Sequence, residues 1–249
     1  MSAPLLQACL NGARSREEHP AVPIRADELA ADAARAWMAG AHGVHVHPRD
    51  EDGGETVAPG ACCEVVAAIK AAVRQVEVSL TTREAIDPDV ERRVHAVHHW
   101  TVVPDAASVN FFEAGYAEIG AALANRGIAI EAGVSSVEDA ERLAASGLAR
   151  HCRRVLVEVA DEEPQAAVAT AAAIDEALEA ALLVLPQLHH GEGRATWAVL
   201  VAAARAGRDV RIGLEDTLVL PDGRQAPGNE AMVRAASEIQ RRAMSAALS

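Results

Sequence analysis

Eight short apolar runs alternate along this chain with eight longer, Ala-rich segments whose apolar residues recur at helical spacing. The runs fall at 5–10, 43–47, 77–80, 107–110, 128–131, 154–159, 182–185 and 210–213. The helical patterns lie near 26–39, 60–73, 88–98, 113–126, 136–147, 164–180, 194–206 and 229–247. Eight strand-like runs, each followed by a helix, count out a (β/α)8 TIM barrel. The competing arrangement is an open doubly wound sheet. No Gly-x-Gly-x-x-Gly follows a strand and no P-loop is present, so a nucleotide-binding sheet has little support.

Local signals agree with these boundaries. Gly40, Gly127, Gly147 and Gly207 stand where helices should stop, and Ser135 or Ser136 stands where one should start. No linker, repeat or low-complexity stretch interrupts the pattern, so residues 1–249 are expected to form a single TIM-barrel domain. A length of 249 residues suits one such barrel. Half the residues are apolar and few are aromatic, so the core must be built from Ala, Val, Leu and Ile.

The formal net charge of −13 argues against a nucleic-acid partner and against an anionic membrane surface. It does not exclude a local arginine site for a carboxylate. No charged leader followed by an apolar stretch opens the chain, and no apolar run reaches membrane-spanning length. Cys9, Cys62, Cys63 and Cys152 lack CxxC spacing, which fits reduced thiols in the cytoplasm.

Barrel active sites gather at the carboxyl ends of the strands. Schiff-base chemistry needs a lysine there, and the only lysine, Lys70, lies in a helical stretch. Carbonyl chemistry would therefore need another electrophile, for which a metal ion is suited. The second run ends in His45 and His47, and the two-residue period of a strand puts both on one side, facing the barrel mouth. Two imidazoles so placed suit a divalent ion such as Zn²⁺; the alternative is a hydrogen-bonded pair in a polar rim. The eighth run is followed by Glu215 and Asp216, with Arg211 inside it. Adjacent acids cannot both face one way, so one can ligate while the other acts as a base that Arg211 keeps ionised. The alternative, an acidic helix cap, is weakened because the next helix begins only near Asn229.

Further polar residues at strand ends are Asn11, Thr81, Thr82, Arg83, Ser108, Asn110, Glu131, Glu158, His189 and His190, any of which could hold substrate. His95, His98 and His99 read as a solvated helix face, and residues 50–55 as an exposed acidic turn.

Together these residues resemble the β-keto acid cleavage enzymes, the family of the 3-keto-5-aminohexanoate cleavage enzyme. The resemblance runs nearly end to end. It is carried by Leu10-Asn11-Gly12-Ala13, by Ala39-Gly40-Ala41 with Val44-His45-Val46-His47-Pro48-Arg49-Asp50, and by Ala107-Ser108-Val109-Asn110. Later come Arg126-Gly127-Ile128 with Glu131, then Asp209-Val210-Arg211-Ile212-Gly213-Leu214-Glu215-Asp216 with Gly223 and Asn229. The resemblance implies a metal-dependent barrel, usually tetrameric, that condenses a β-keto acid with acetyl-CoA to give acetoacetate and a shortened acyl-CoA. It implies His45, His47 and Glu215 as Zn²⁺ ligands and Asp216 as the general base, held by Arg211 and Glu131. Thr81 and Thr82 would hold the substrate carboxylate, with Ser108 and Asn110 nearby.

This chain is a short member by that reading. Arg83 stands where the family has small residues, and Phe111-Phe112-Glu113 follows Asn110 directly, where the family commonly continues through a Gly-Ser or Gly-Thr element. Arg83 is either a surface arginine or a clamp for an extra carboxylate. Two further functions compete: a metal-dependent barrel hydrolase that activates water, and a ligand-binding barrel without CoA chemistry.

Overall fold

The computed structural model describes residues 4–247 and forms the closed barrel expected from the alternation. Eight parallel strands pair in sequence order: β1 (Leu6–Cys9), β2 (Gly43–Val46), β3 (Glu77–Leu80), β4 (Ala106–Asn110), β5 (Ala129–Val134), β6 (Cys152–Val159), β7 (Gln187–Gly191) and β8 (Asp209–Ile212). Closure comes from β1 against β8, with Gln7 opposite Arg211. Each strand is followed by its helix: α1 (Ala26–Ala39), α2 (Pro59–Ala72), α3 (Val90–His98), α4 (Tyr116–Asn125), α5 (Val137–Ala145), α6 (Pro164–Ala180), α7 (Thr196–Arg205) and α8 (Asn229–Ala247). Among the described residues no helix is long and apolar enough to cross a membrane.

The strand period of two divides this barrel into an apolar outside and a polar inside. Leu6, Ala8, Val44, Val46, Val78, Leu80, Val109, Ile130, Val155, Val157, Val210 and Ile212 turn outward. They are buried in one continuous core with Leu29, Ile69, Leu123, Leu143 and Ile174 from the helices. Their alternates turn inward and include Gln7, His45, Ser79, Ser108, Glu131, Arg154, His190 and Arg211, all buried. The hydrophobic stabilisation therefore resides in the layer between barrel and helices. The barrel interior instead holds charges that must be paired. At its amino end Arg154 bonds Glu77 at 2.7 Å and approaches Glu131 at 3.6 Å.

Helix boundaries follow the residues that marked them. The Ser136 side chain caps α5 by accepting the Asp139 N–H at 3.1 Å. Gly40, Gly127, Gly147 and Gly207 all sit at positive φ just past helices.

One strand lies elsewhere than the apolar pattern places it. Residues 182–185 are not the seventh strand; they close α6 and lead into the following loop. Leu182 has φ 56, and the N–H groups of Leu182 and Leu183 donate back to Glu179 and Leu178 at 2.9 and 3.0 Å. Leu182 and Val184 are 84% and 96% exposed, so their hydrophobicity reports no burial. The strand begins after Pro186 and reads Gln-Leu-His-His-Gly, with few apolar residues to announce it. Its His190 faces the site while His189 turns outward to Asp175 of α6, 3.1 Å away.

Candidate active site

The mouth of the barrel, at the carboxyl ends of the strands, encloses a cavity of about 210 Å³. His45, His47, Thr81, Arg83, Ser108, Asn110, Arg211 and Glu215 line it, joined by Phe112, Glu113, Glu158, His190 and Glu192. Thr82, Glu131 and Asp216 do not line it; Asp216 is buried just behind Arg211 and His190, which do. Thr82 turns away from the barrel axis and donates its hydroxyl to the Ser108 carbonyl at 2.6 Å.

His45 lies in β2 and His47 just beyond it. The side chain of Asn11 extends the β1–β2 ladder past the last strand residue: its Oδ1 accepts the His47 N–H at 2.9 Å and its Nδ2 donates to the His47 carbonyl at 2.8 Å. The two Nε2 atoms face each other at 3.2 Å, and Glu215 Oε1 is 3.4 Å from that of His47. Ligand atoms of all three residues lie within 4.8 Å of one another. Both Nδ1 atoms are engaged on the far sides of the rings, His45 with Ser79 Oγ at 3.2 Å and His47 with Glu55 Oε1 at 2.5 Å. Two Nε2 atoms and a carboxylate oxygen thus converge in a buried space, an arrangement that can hold a cation. Among the described residues Glu215 Oε2 is buried without a hydrogen-bond partner, which also fits a metal ligand. The donor set of two imidazoles and a carboxylate suits Zn²⁺ or a similar divalent ion.

Electrostatics agree. Burial disfavours charge on Glu215, yet Arg211, His47 and His45 outweigh it and hold the carboxyl well below its ordinary range. Burial pushes His47 down, while Glu215 and Glu55 together raise it. Burial dominates at His45 and lowers it well below the ordinary value, helped by Arg211, His47 and His190.

The loop after β8 is built for close approach. A Cβ on Gly213 would lie 1.9 Å from the Cys9 carbonyl oxygen, so only glycine lets β8 turn there. Asn229, at the start of α8, accepts the Leu214 N–H at 2.8 Å and donates to the Leu10 carbonyl at 2.8 Å. Gly12 (φ +53) lies directly against the Glu215 side chain. Arg49 donates to the carbonyls of Gly12 and Arg14, fixing this loop over the site.

Glu215 and Asp216 point to different places, as adjacent residues must. Arg211 Nη2 joins them, at 2.6 Å from Glu215 Oε1 and 3.2 Å from Asp216 Oδ1. Asp216 Oδ1 also receives Arg211 Nε at 3.3 Å and stands 3.4 Å from His190 Nδ1. Among the described residues its buried Oδ2 has no hydrogen-bond partner. Glu131 makes no part of this cluster. Among the described residues its partners are Gln7, Ser79 and Arg154, deeper in the barrel.

Other contributors had no more than a general place at a strand end in the sequence, or none at all. His190 stands between Asp216 and Glu158, whose Oε1 is 3.6 Å from Nε2. Burial and Arg211 push its pKa down, but Asp216 and Glu158 prevail and raise it to about 9. Its only signal was a polar residue at a strand end, and the strand was misplaced. Glu55 corrects the reading of 50–55 as a plain exposed turn. An antiparallel bridge between Arg49 and Glu55 folds the segment back, so that Glu55 reaches His47 and, at 3.9 Å, Arg83. Asn110 donates to Glu113 at 2.9 Å, and Glu113 and Glu192 are both raised by burial. His95, His98 and His99 are exposed, and Lys70 is tied to Asp105 and the Val76 carbonyl, away from the mouth.

A TIM barrel with a two-histidine, one-glutamate cluster that could hold a metal ion, beside an Arg–Asp pair near its mouth, defines a class of barrels with a candidate metal centre. Within that class, the chain belongs to the β-keto acid cleavage enzyme family, whose model matches residues 5–248. It is 27% identical over 269 residues to the 3-keto-5-aminohexanoate cleavage enzyme of Fusobacterium nucleatum subsp. nucleatum, covering 95% of this chain and 92% of that protein. Among solved structures it shares its fold with ObcA in its ternary complex with a C4-CoA adduct and oxalate, at TM-score 0.72 and 18% identity. That match covers 88% of this chain but 63% of ObcA. A Yersinia pestis dihydropteroate synthase also shares the fold, at TM-score 0.55 and 16% identity, covering 98% of this chain and 95% of that one.

Proposed function

We propose that this chain cleaves a β-keto acid by acyl exchange with acetyl-CoA, using one divalent ion, Zn²⁺ by its donor set, held by His45, His47 and Glu215. The observation that carries the proposal is the pairing of that cluster with the buried, unpartnered Asp216 Oδ2. When bound, the ion would supply Lewis acidity to the substrate's carbonyl group.

The side chains account for the remaining steps. Asp216 is the general base: Arg211 donates to Oδ1 and His190 Nδ1 stands 3.4 Å from it, leaving Oδ2 to take a proton from the carbon between the keto and carboxylate groups. The resulting carbanion attacks the acetyl carbonyl of acetyl-CoA and expels the CoA thiolate. The thiolate then attacks the original keto carbon, and the bond between that carbon and its neighbour breaks. Acetoacetate leaves after its carbon regains the proton from Asp216, and the shortened acyl group leaves as its CoA thioester. Thr81, Ser108, Asn110 and Arg83 line the space for the keto acid, with Thr82 bracing the Ser108 backbone from outside. A cavity of about 210 Å³ suits the keto acid and an acetyl group, with the nucleotide part of CoA outside on the surface.

Incubating the zinc-loaded protein with a panel of β-keto acids tests this, with and without acetyl-CoA. Acetoacetate and a new acyl-CoA should form only with both present. Cleavage to two free acids without acetyl-CoA would replace acyl exchange with hydrolysis. Turnover of no substrate would leave a binding protein.

A further inference from the structure

Glu131 is the one residue expected to steady Asp216 that lies apart from it, and its surroundings give it another task. It belongs to β5, fully buried in the barrel interior, with Ser79 of β3 equally buried beside it. Ser79 Oγ donates a hydrogen bond to Glu131 Oε2. Glu131 Oε1 accepts from Gln7 Nε2 at 2.9 Å and lies 3.6 Å from Arg154 Nη1. On the other side, Ser79 Oγ is 3.2 Å from His45 Nδ1.

We propose that Ser79 and Glu131 are positioning residues that fix the tautomer of His45, so that its Nε2 lone pair is always presented to the metal. This rests on the metal centre proposed above. A hydroxyl has a single proton, and here it is committed to Glu131. Only lone pairs of Ser79 Oγ then face His45, so Nδ1 must carry the hydrogen and Nε2 must be bare. The competing state is close at hand. With the hydrogen on Nε2, His45 would bond His47 Nε2, 3.2 Å away, and the site would close on itself with one ligand lone pair consumed. The carboxylate–hydroxyl–imidazole chain removes that competitor before any ion arrives. Glu55 orients the His47 ring directly, since its Oε1 accepts from His47 Nδ1.

The chain has a testable order: Glu131 acts through Ser79, and Ser79 through His45. Metal affinity is measured by competition with a chromophoric chelator for wild type, Ser79→Ala, Glu131→Gln and the double variant. Thermal unfolding of each variant confirms that it is folded. The His45 tautomer is read in metal-free protein by nitrogen-15 NMR of the imidazole. Ser79→Ala is expected to weaken Zn²⁺ binding by roughly 10- to 100-fold, the usual effect of losing a ligand's orienting partner. It should also move the His45 hydrogen from Nδ1 to Nε2. Glu131→Gln should weaken binding in the same direction, and the double variant should fall no further than Ser79→Ala alone. Wild-type affinity with an unmoved tautomer in Ser79→Ala would overturn the relay while leaving the metal centre standing. Additive losses in the double variant would overturn Glu131's action through Ser79. Wild-type protein that binds no metal would overturn the centre itself, and the NMR measurement would still report the tautomer separately.

Discussion

Replacing Gly12 with alanine should damage the metal centre without touching any ligand. Gly12 has φ +53, a conformation that costs an L-residue about 1–2 kcal/mol. Position is the larger difficulty. The added Cβ would lie 2.3 Å from Glu215 Cγ, 2.9 Å from its Cβ and 3.0 Å from its Cδ. Carbon atoms rest about 3.5–4.0 Å apart, so the Glu215 side chain must retreat by about 1 Å or more. Metal–oxygen bonds tolerate errors of only about 0.2 Å, so a displacement of that size removes the carboxylate from the site. Zn²⁺ affinity should fall by at least about 100-fold, the upper end of what losing an orienting partner costs. Gly53 supplies the control, because it has φ +84 and nothing within 4 Å of an added Cβ. Gly53→Ala carries the backbone strain without the collision and should bind metal as wild type does. Chelator competition reads both affinities, and thermal unfolding reads the strain they share. Equal metal affinity in Gly12→Ala and Gly53→Ala would refute the argument that Gly12 makes room for Glu215.

Two other outcomes follow from the site's charges. Asp216→Asn should keep the metal yet lower turnover by about 10²- to 10⁴-fold, as loss of a general base does; loss of metal instead would place Asp216 among the ligands. His190 has a folded pKa of about 9, above the ordinary 6.5, so its stabilisation is complete below pH 6.5 and is lost as pH rises through about 9. The gap corresponds to about 3 kcal/mol, and urea unfolding of metal-free protein across that window should lose this much more in wild type than in His190→Asn. Parallel pH profiles would contradict the ion pairs of His190 with Asp216 and Glu158.

The barrel was legible because most of its strands turn an apolar face to the helices. Runs such as 43–47 and 154–159 repeat that face, and α1, α4, α5 and α7 are each followed by a glycine in the left-handed region. The seventh strand failed for the same physical reason. Its inward side contributes His190 to the site and its outward side meets Asp175, so little apolar pattern remained, while the exposed Leu182 and Val184 supplied a false one. His45 and His47 were legible as neighbours because period-two spacing and proximity to a strand end are local facts. Spacing left open which of Glu215 and Asp216 would join them, and only the family resemblance pointed to Glu215. The roles of Glu55, Ser79 and Glu131 were not local. Glu55 reaches the site only because Asp50 turns the loop, its Oδ1 accepting the Gly54 N–H at 2.8 Å. Ser79 and Glu131 meet across the barrel interior, 52 residues apart in sequence, at a register that no single segment specifies.

The account rests on one ion at the mouth of the barrel, and its metal content is the most direct measurement of that claim. Protein purified after zinc loading and extensive dialysis should hold about one ion per chain by elemental analysis, and His45→Ala treated identically should hold almost none. A metal-free wild type, or a His45→Ala variant that retains its full complement, would contradict it.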